Sequence, residues 1–287
     1  MPSRKPVLTI RLRRLAAELR RLRKDAGLTR DEVTRHTALN PATLWRIETA
    51  KTRPQARTLK TLLDLYGAPE DQRDELTVLL RESAQRGWAH TIGSELPERY
   101  AAYIEFECSA SRISNFECAF VPGLLQTEEY ARATIGGCRP GMTEDEVDHR
   151  VEARIRRQEL LTADGPLELR AILDEAALRR RVGGTGTMAR QAEHLLLAAE
   201  LHNVTLQVVP FDAGAHPGMM GSFVVMDFPA DVGVRVAYLD GQVGDFFLEE
   251  EADVQRYSLA FEHLRTAALS PRASTALIAE VARDSRV

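Results

Sequence analysis

The chain has 287 residues, 44% hydrophobic and 28% charged, a length and composition that suit a folded protein of two domains and exclude a disordered or collagen-like one. Its net charge of −4 hides a division, because residues 1–66 carry 16 Lys and Arg against 6 Asp and Glu while the remainder carries 22 against 36. A head that basic suits a polyanion such as nucleic acid or an anionic surface, and the acidic body would be repelled by the same partner.

The first helix is predicted over residues 9–26, where Ile10, Leu12, Leu15, Leu19 and Leu22 form an apolar stripe at spacings of three and four. Arginines interrupt this stretch every two to four residues, so it lacks the apolar core of a secretory leader. The preceding MPSRKP is expected to be disordered in the free protein, with Arg4 and Lys5 a candidate arm. Gly27 stands where a helix-ending glycine would, and Thr29-Arg30-Asp31-Glu32 is a capping box that opens a second helix over about 30–37. Asn40 can cap a third helix whose first position suits Pro41. In it Leu44 and Ile47 share the inner face, leaving Pro41, Ala42, Trp45, Arg46 and Thr49 outward. A fourth helix over 57–66 turns Leu59, Leu62, Leu63 and Tyr66 inward and stops at Gly67.

This order over residues 8–67, with NPATLWRIETAKTRP followed by LLDLYG, resembles the Xre-like (lambda-repressor-like) helix-turn-helix family. The motif's first, fifth and ninth residues, usually Gln, Ala and Gly, are here Arg30, Thr34 and Ala38. The last puts a side chain in a left-handed turn, at a cost of roughly 1–2 kcal/mol. The resemblance implies binding to double-stranded DNA, with the third helix in a major groove about 12 Å wide. It turns Pro41, Ala42, Trp45 and Arg46 toward the bases and Arg30, Thr43, Lys51 and Arg53 toward phosphates, which set register without reading sequence. Within the base-facing set Arg46 alone can grip guanine O6 and N7 bidentately, while Pro41 and Ala42 offer apolar contact. Trp45 has two readings: packing on a thymine or sugar, or packing back onto the second helix or a partner.

A fifth helix is predicted over 69–88, with Leu76, Leu79 and Leu80 as its stripe and Gly87 at its end, and the loss of pattern from 91 to 97 marks a domain boundary. The body then opens with a helix over about 98–112. FECAFVPGLLQTEEYARATI at 116–135 starts as a strand, turns at Pro122-Gly123 and becomes helical, and a helix over 143–161 opens with a second capping box, Thr143 and Glu146. Strands are predicted over 167–174, 204–211, 222–228, 234–240 and 246–248, and helices over about 187–201, 249–268 and 271–284. Cys108, Cys118 and Cys138 are too few and too far apart for a disulfide framework, the first two reading as buried thiols.

Chemistry in the body is sparse. Asp174 and Glu175 follow a strand, where adjacent side chains diverge, so a salt bridge to residues 179–181 or a helix cap competes with acid-base work. His216 lies in the glycine-rich loop DAGAHPGMMG and could line a pocket, without a second ligand at metal spacing. Met219 and Met220 offer an adaptable apolar contact, with ordinary core packing as the competing reading. Together Asp174, Glu175, His216, Met219 and Met220 form a candidate effector pocket. The glycines match neither a phosphate-binding nor a dinucleotide-binding loop and read as turns.

FVPGLLQTEEYAR, LDEAALRR, VGG, NVTLQVVPFDAGAHPGMMGSF and AALSP, in that order across residues 100–284, are similar to the C-terminal domain of actinobacterial WhiJ-like regulators. Such proteins are often encoded beside a small protein of unknown function and are sometimes described as antitoxin-like. The expectation is therefore a mainly α helix-turn-helix domain at 1–67, a connecting helix and linker at 68–97, and a regulatory or dimerising α+β domain with a mostly antiparallel sheet at 98–287. The protein would act in the cytoplasm as a homodimer on a palindromic operator, without catalysis, cofactor, metal or membrane. The body would sense a small-molecule effector or a small protein encoded nearby.

Overall fold

The computed structural model describes residues 10–82, 96–229, 235–241 and 244–284. The arm expected at 1–6, the helix end at Gly87 and most of the boundary at 91–97 lie outside the described residues. Among those residues the chain forms twelve α-helices and a six-stranded sheet. It divides into two compact units, the first running through the N-terminal helices and taking in residues 101–106, the second holding residues 96–100 and everything from 107 onward.

The first unit contains α1 (Ile10–Asp25), α2 (Arg30–Thr37), α3 (Pro41–Glu48), α4 (Ala56–Tyr66) and α5 (Glu70–Glu82). Their boundaries follow local chemistry. Thr29 and Glu32 exchange both capping-box hydrogen bonds at the start of α2. Asn40 Oδ1 accepts from the Ala42 amide at 2.8 Å at the start of α3. Gly67 ends α4 at φ 67°, the left-handed conformation glycine adopts without strain. The stripes then meet: Leu12, Leu15, Leu19, Val33, Leu44, Ile47, Leu59, Leu62, Leu63, Leu76, Leu79 and Leu80 form one core in which no side chain is more than 6% exposed.

The second unit begins in α6 (Glu98–Ser109) and continues through β1 (Arg112–Glu117), α7 (Glu128–Cys138), α8 (Glu144–Arg157), β2 (Glu168–Asp174), α9 (Glu175–Arg179), α10 (Thr185–Ala198), β3 (Val204–Val209), β4 (Phe223–Asp227), β5 (Arg235–Leu239), β6 (Phe246–Leu248), α11 (Glu251–Ala267) and α12 (Pro271–Asp284). The strand order is β3-β2-β1-β4-β5-β6. The pairings β4, β5 and β6 make along one side, including β4 to β1, are antiparallel, whereas β1, β2 and β3 run parallel. Helical crossovers, α7–α8 and α9–α10, supply the length that parallel neighbours need.

Several boundaries differ from the sequence reading by two to four residues, and two of them flank β1. The helix expected to reach 112 ends at Ser109, and the strand expected from 116 starts at Arg112. Polar Arg112, Ser114 and Asn115 hid this strand, because β1 lies mid-sheet and is buried from Ile113 to Glu117 despite them. Alternation divides the sheet into two faces. On one, Phe116, Ile172, Val209, Phe223, Val225 and Ala237 pack with Val254, Phe261 and Leu264 of α11. The other carries Ile113, Asn115 and Glu117 of β1.

Candidate nucleic-acid interface

The first unit places α2, a tight turn and α3 in succession. The turn hinges on Ala38, which closes α2 at φ 55° and ψ 17°, the left-handed conformation an alanine side chain disfavours. Beyond it Leu44 and Ile47 anchor α3 in the core, so Pro41, Ala42, Trp45 and Arg46 all stand exposed on its other side. Arg46 folds back along the helix, its Nε donating to the Ala42 carbonyl at 3.2 Å and its Nη2 to Thr43 Oγ1 at 3.4 Å. Trp45 is 41% exposed, and the Lys51 ammonium sits over its ring, 4.2 Å from the centroid. A cation in that position is attracted by the ring quadrupole, which fixes both side chains.

Arg30 and Arg53 are exposed residues with intramolecular partners. Arg30 Nε donates to Glu48 Oε2 at 2.7 Å, and Arg53 donates through Nε and Nη2 to the Leu80 carbonyl at 3.1 and 2.5 Å. Both retain guanidinium surface. Glu48 is the residue that sequence reasoning missed here. Its carboxylate is wholly buried at the end of α3 and also accepts from Arg23 of α1, at 2.5 and 3.2 Å, so it ties α1, α2 and α3 together. Tyr66 stands nearby, its phenol raised by burial and by the Glu48 charge, and its hydroxyl finds no hydrogen-bond partner among the described residues. At the start of α2 the Thr29 amide and hydroxyl hold the Glu32 carboxylate below its ordinary range.

In the second unit Asp174 Oδ1 caps α9 by accepting from the Ala176 amide at 2.8 Å, and its Oδ2 lies 3.2 Å from His216 Nε2. Glu175 pairs with Arg179 at 2.9 Å and accepts from the Phe211 amide at 2.9 Å. These two carboxylates thus hold a cap, an ion pair and a loop. His216 packs edge-on to Phe116, with ring centroids 6.0 Å apart. Gly218 lies so close to the Phe116 ring that a β-carbon there would stand 2.2 Å from it. Met219 and Met220 are 71% and 94% exposed, which overturns the core-packing reading: the loop points them outward while Gly218 takes the inner position. A cleft of about 610 Å³ lies elsewhere, between β2, β3 and α11, with Arg170, Gln207, Phe261 and Arg265 in its lining. Among the described residues no cluster of His, Cys, Asp and Glu could hold a metal ion, and no helix is long and apolar enough to cross a membrane.

An outward α3 held behind a short turn by α1 and α2 is the geometry of a helix-turn-helix protein, and residues 14–76 match the family described as a helix-turn-helix domain. That match points to DNA binding by the first unit. Residues 100–280 match the domain of unknown function DUF5753, and the chain belongs to that family. No curated protein and no solved structure matches it.

Proposed function

We propose that the protein is a sequence-specific transcription regulator whose α3 enters the major groove. The observation that carries this reading is the division of α3 into a buried Leu44–Ile47 face and an exposed face of Pro41, Ala42, Trp45 and Arg46. Arg46 reads guanine once it swings from its resting bonds on Ala42 and Thr43, and Pro41 and Ala42 touch thymine methyls. Trp45 and the Lys51 stacked on it act as one element, apolar toward sugar and base and cationic toward phosphate. Arg30, Thr43 and Arg53 complete the phosphate grip.

One helix reads only a few base pairs, so the chain works as a homodimer on a two-fold operator, and its residues 98–287 dimerise and sense an effector or partner in the cytoplasm. A second reading makes that region an antitoxin-like cap for a small protein encoded nearby, with DNA binding serving autoregulation. The exposed Phe211, Met219 and Met220, 58%, 71% and 94% accessible, favour it, since adaptable apolar side chains suit a protein contact.

Selection from random duplex DNA with the full chain, followed by anisotropy titration at two salt concentrations, tests the first reading. A palindrome with half-sites about one helical turn apart is expected. Salt-sensitive binding without sequence preference would sink operator recognition, and co-purification with the product of the adjacent small gene would favour the second.

A further inference from the structure

The face of the sheet turned away from α11 carries a polar cluster with more positive than negative charge. β1 contributes Asn115 and Glu117, 6% and 8% exposed, whose Oδ1 and Oε2 have no hydrogen-bond partner among the described residues, although the Glu117 carboxyl is held by Ser222 and Asn115. Arg150, Arg154 and Arg157 occupy one stripe of α8, and the charge of Arg154 acts on Glu117. Arg157 is buried beside Glu107, 2.9 Å from Nη1 to Oε2, and so is matched. Among the described residues Arg150 and Arg154 form no salt bridge, although the Arg154 charge acts at longer range on Glu117 and Asp240. Arg154 Nη1 donates to the neutral Gln126 Oε1 at 2.8 Å and its buried Nε has no hydrogen-bond partner. Arg150, 7% exposed, has its guanidinium 5.0 Å from the centre of the Tyr100 ring.

The titration of these groups reports the same imbalance. Burial lowers the Arg150 guanidinium, and repulsion from Arg139 and, more weakly, Arg154 lowers it further, against the opposing attraction of Tyr100 and Glu146. Burial would raise the Tyr100 phenol, yet Arg157 and Arg154 bring it below its ordinary value. Glu117 cannot neutralise the arginines, because burial pushes its carboxyl up to about 8. A buried charge without a counter-ion is costly, so native proteins pair it or bind an ion there. The cluster also has a solvent side: Arg139 and Asp240, 45% and 49% exposed, face each other across 3.4 Å at its margin.

We propose that Arg150 and Arg154, together with Asn115 and Glu117, form a binding site for a small oxyanion that also carries hydroxyl groups, such as a sugar phosphate or a hydroxy acid. The anion supplies the missing counter-charge to the guanidinium forks. Its hydroxyl donates to Asn115 Oδ1, and the protonated Glu117 donates to an anion oxygen. Arg139 and Asp240 form the gate through which it enters. The site belongs to the second unit alone and does not depend on DNA recognition.

Calorimetric titration of the full-length chain with inorganic phosphate, ribose 5-phosphate and citrate tests this, at about 0.3 M salt to screen exposed cationic surface. Saturable binding of at least one probe is expected, with ribose 5-phosphate above inorganic phosphate if the anion is a phosphate and citrate alone if it is a carboxylate. Arg150→Met and Arg154→Gln should each weaken it roughly tenfold or more, the loss of a charge-assisted hydrogen bond. Because Arg150→Met removes surplus buried charge, the probe-free variant should melt no lower than the parent. Absence of saturable binding by all three probes, binding that both variants retain, or a marked fall in the melting temperature of Arg150→Met would overturn the assignment, the last by making Arg150 a structural residue.

Discussion

The two units treat buried charge in opposite ways. In the basic head the buried carboxylate of Glu48 is met by Arg23 and Arg30, so an interior ion is fully matched and locks α1, α2 and α3. In the acidic body Arg150 and Arg154 of α8 lie against a tyrosine ring and a neutral amide. A chain segment's net charge therefore says what its surface attracts, while the pairing of its interior charges says whether they hold the fold or await a ligand. The head is cationic in net charge and matches its buried Glu48; the body is anionic in net charge and cationic in one buried place.

The most severe way to break the contrast is to remove Glu48. Glu48→Ala leaves Arg23 buried without its counter-ion, and the loss of one partner of a buried pair costs about 3–5 kcal/mol. Chemical denaturation followed by tryptophan fluorescence should show the head unfolding at much lower denaturant. A change below about 1 kcal/mol would mean that the guanidinium escapes to solvent and that the ion triad is not what orients α3.

On the surface of the same helix the effects are smaller and act on binding. Arg46→Ala should lose roughly 1–3 kcal/mol on the preferred site and relax one position per half-site, whereas Lys51→Ala should weaken every sequence alike and reduce the salt slope by about one. Because Lys51 stacks on Trp45, Trp45→Ala should reproduce part of the Lys51→Ala loss, and anisotropy titrations of the three variants on matched and scrambled duplexes separate these outcomes. Equal losses from Arg46→Ala on both duplexes would remove Arg46 from base reading.

The body should betray its buried acid through pH. Glu117 has its carboxyl raised to about 8 by burial, against an unfolded value near 4.3. Between those values the folded state keeps a proton that the unfolded chain releases, so this contribution to stability is present at acid pH and falls as pH rises, by about 1.4 kcal/mol per unit at its steepest. Asp240, raised by burial in the same cluster, acts in the same direction. Glu117→Gln should flatten the fall between pH 6 and 8, read from melting temperatures across that range. An unchanged slope would place the ionisation elsewhere.

What was legible in the chain was local. The boxes at Thr29–Glu32 and Thr143–Glu146, the Asn40-Pro41 start and the Gly67 stop are written within four residues of the boundaries they make, and the inward and outward faces of α3 follow from helical period alone. The start of β1 was not legible, since Arg112, Ser114 and Asn115 look like a solvated segment until β2 and β4 flank them. The parallel half of the sheet likewise depends on pairings tens of residues apart. Glu48 and Arg150 have the residue types of an exposed helix face, and only the packing of other elements over them reveals that they are interior. Met219 and Met220 mislead in the opposite sense: apolar by type, they are turned out by a loop whose inner place is taken by Gly218.

The smallest effect tests how faithfully the head obeys its motif. Ala38 sits at φ 55° where the resemblance expects glycine, and its side chain costs roughly 1–2 kcal/mol in that conformation. Glycine relieves this but restores freedom to the unfolded chain, a loss of about 0.4–1 kcal/mol. Ala38→Gly should therefore stabilise the head by less than the full strain, roughly 0.5–1 kcal/mol by this difference. Ala50 provides the internal contrast. It has nearly the same φ of 56° but is only 4% exposed, so glycine there also removes a packed methyl and should gain less or nothing. If denaturant midpoints of the two variants move together, the strain argument fails; if Ala38→Gly alone gains stability without altering DNA affinity, the departure from the motif is a tolerated cost of the turn and not a device for positioning α3.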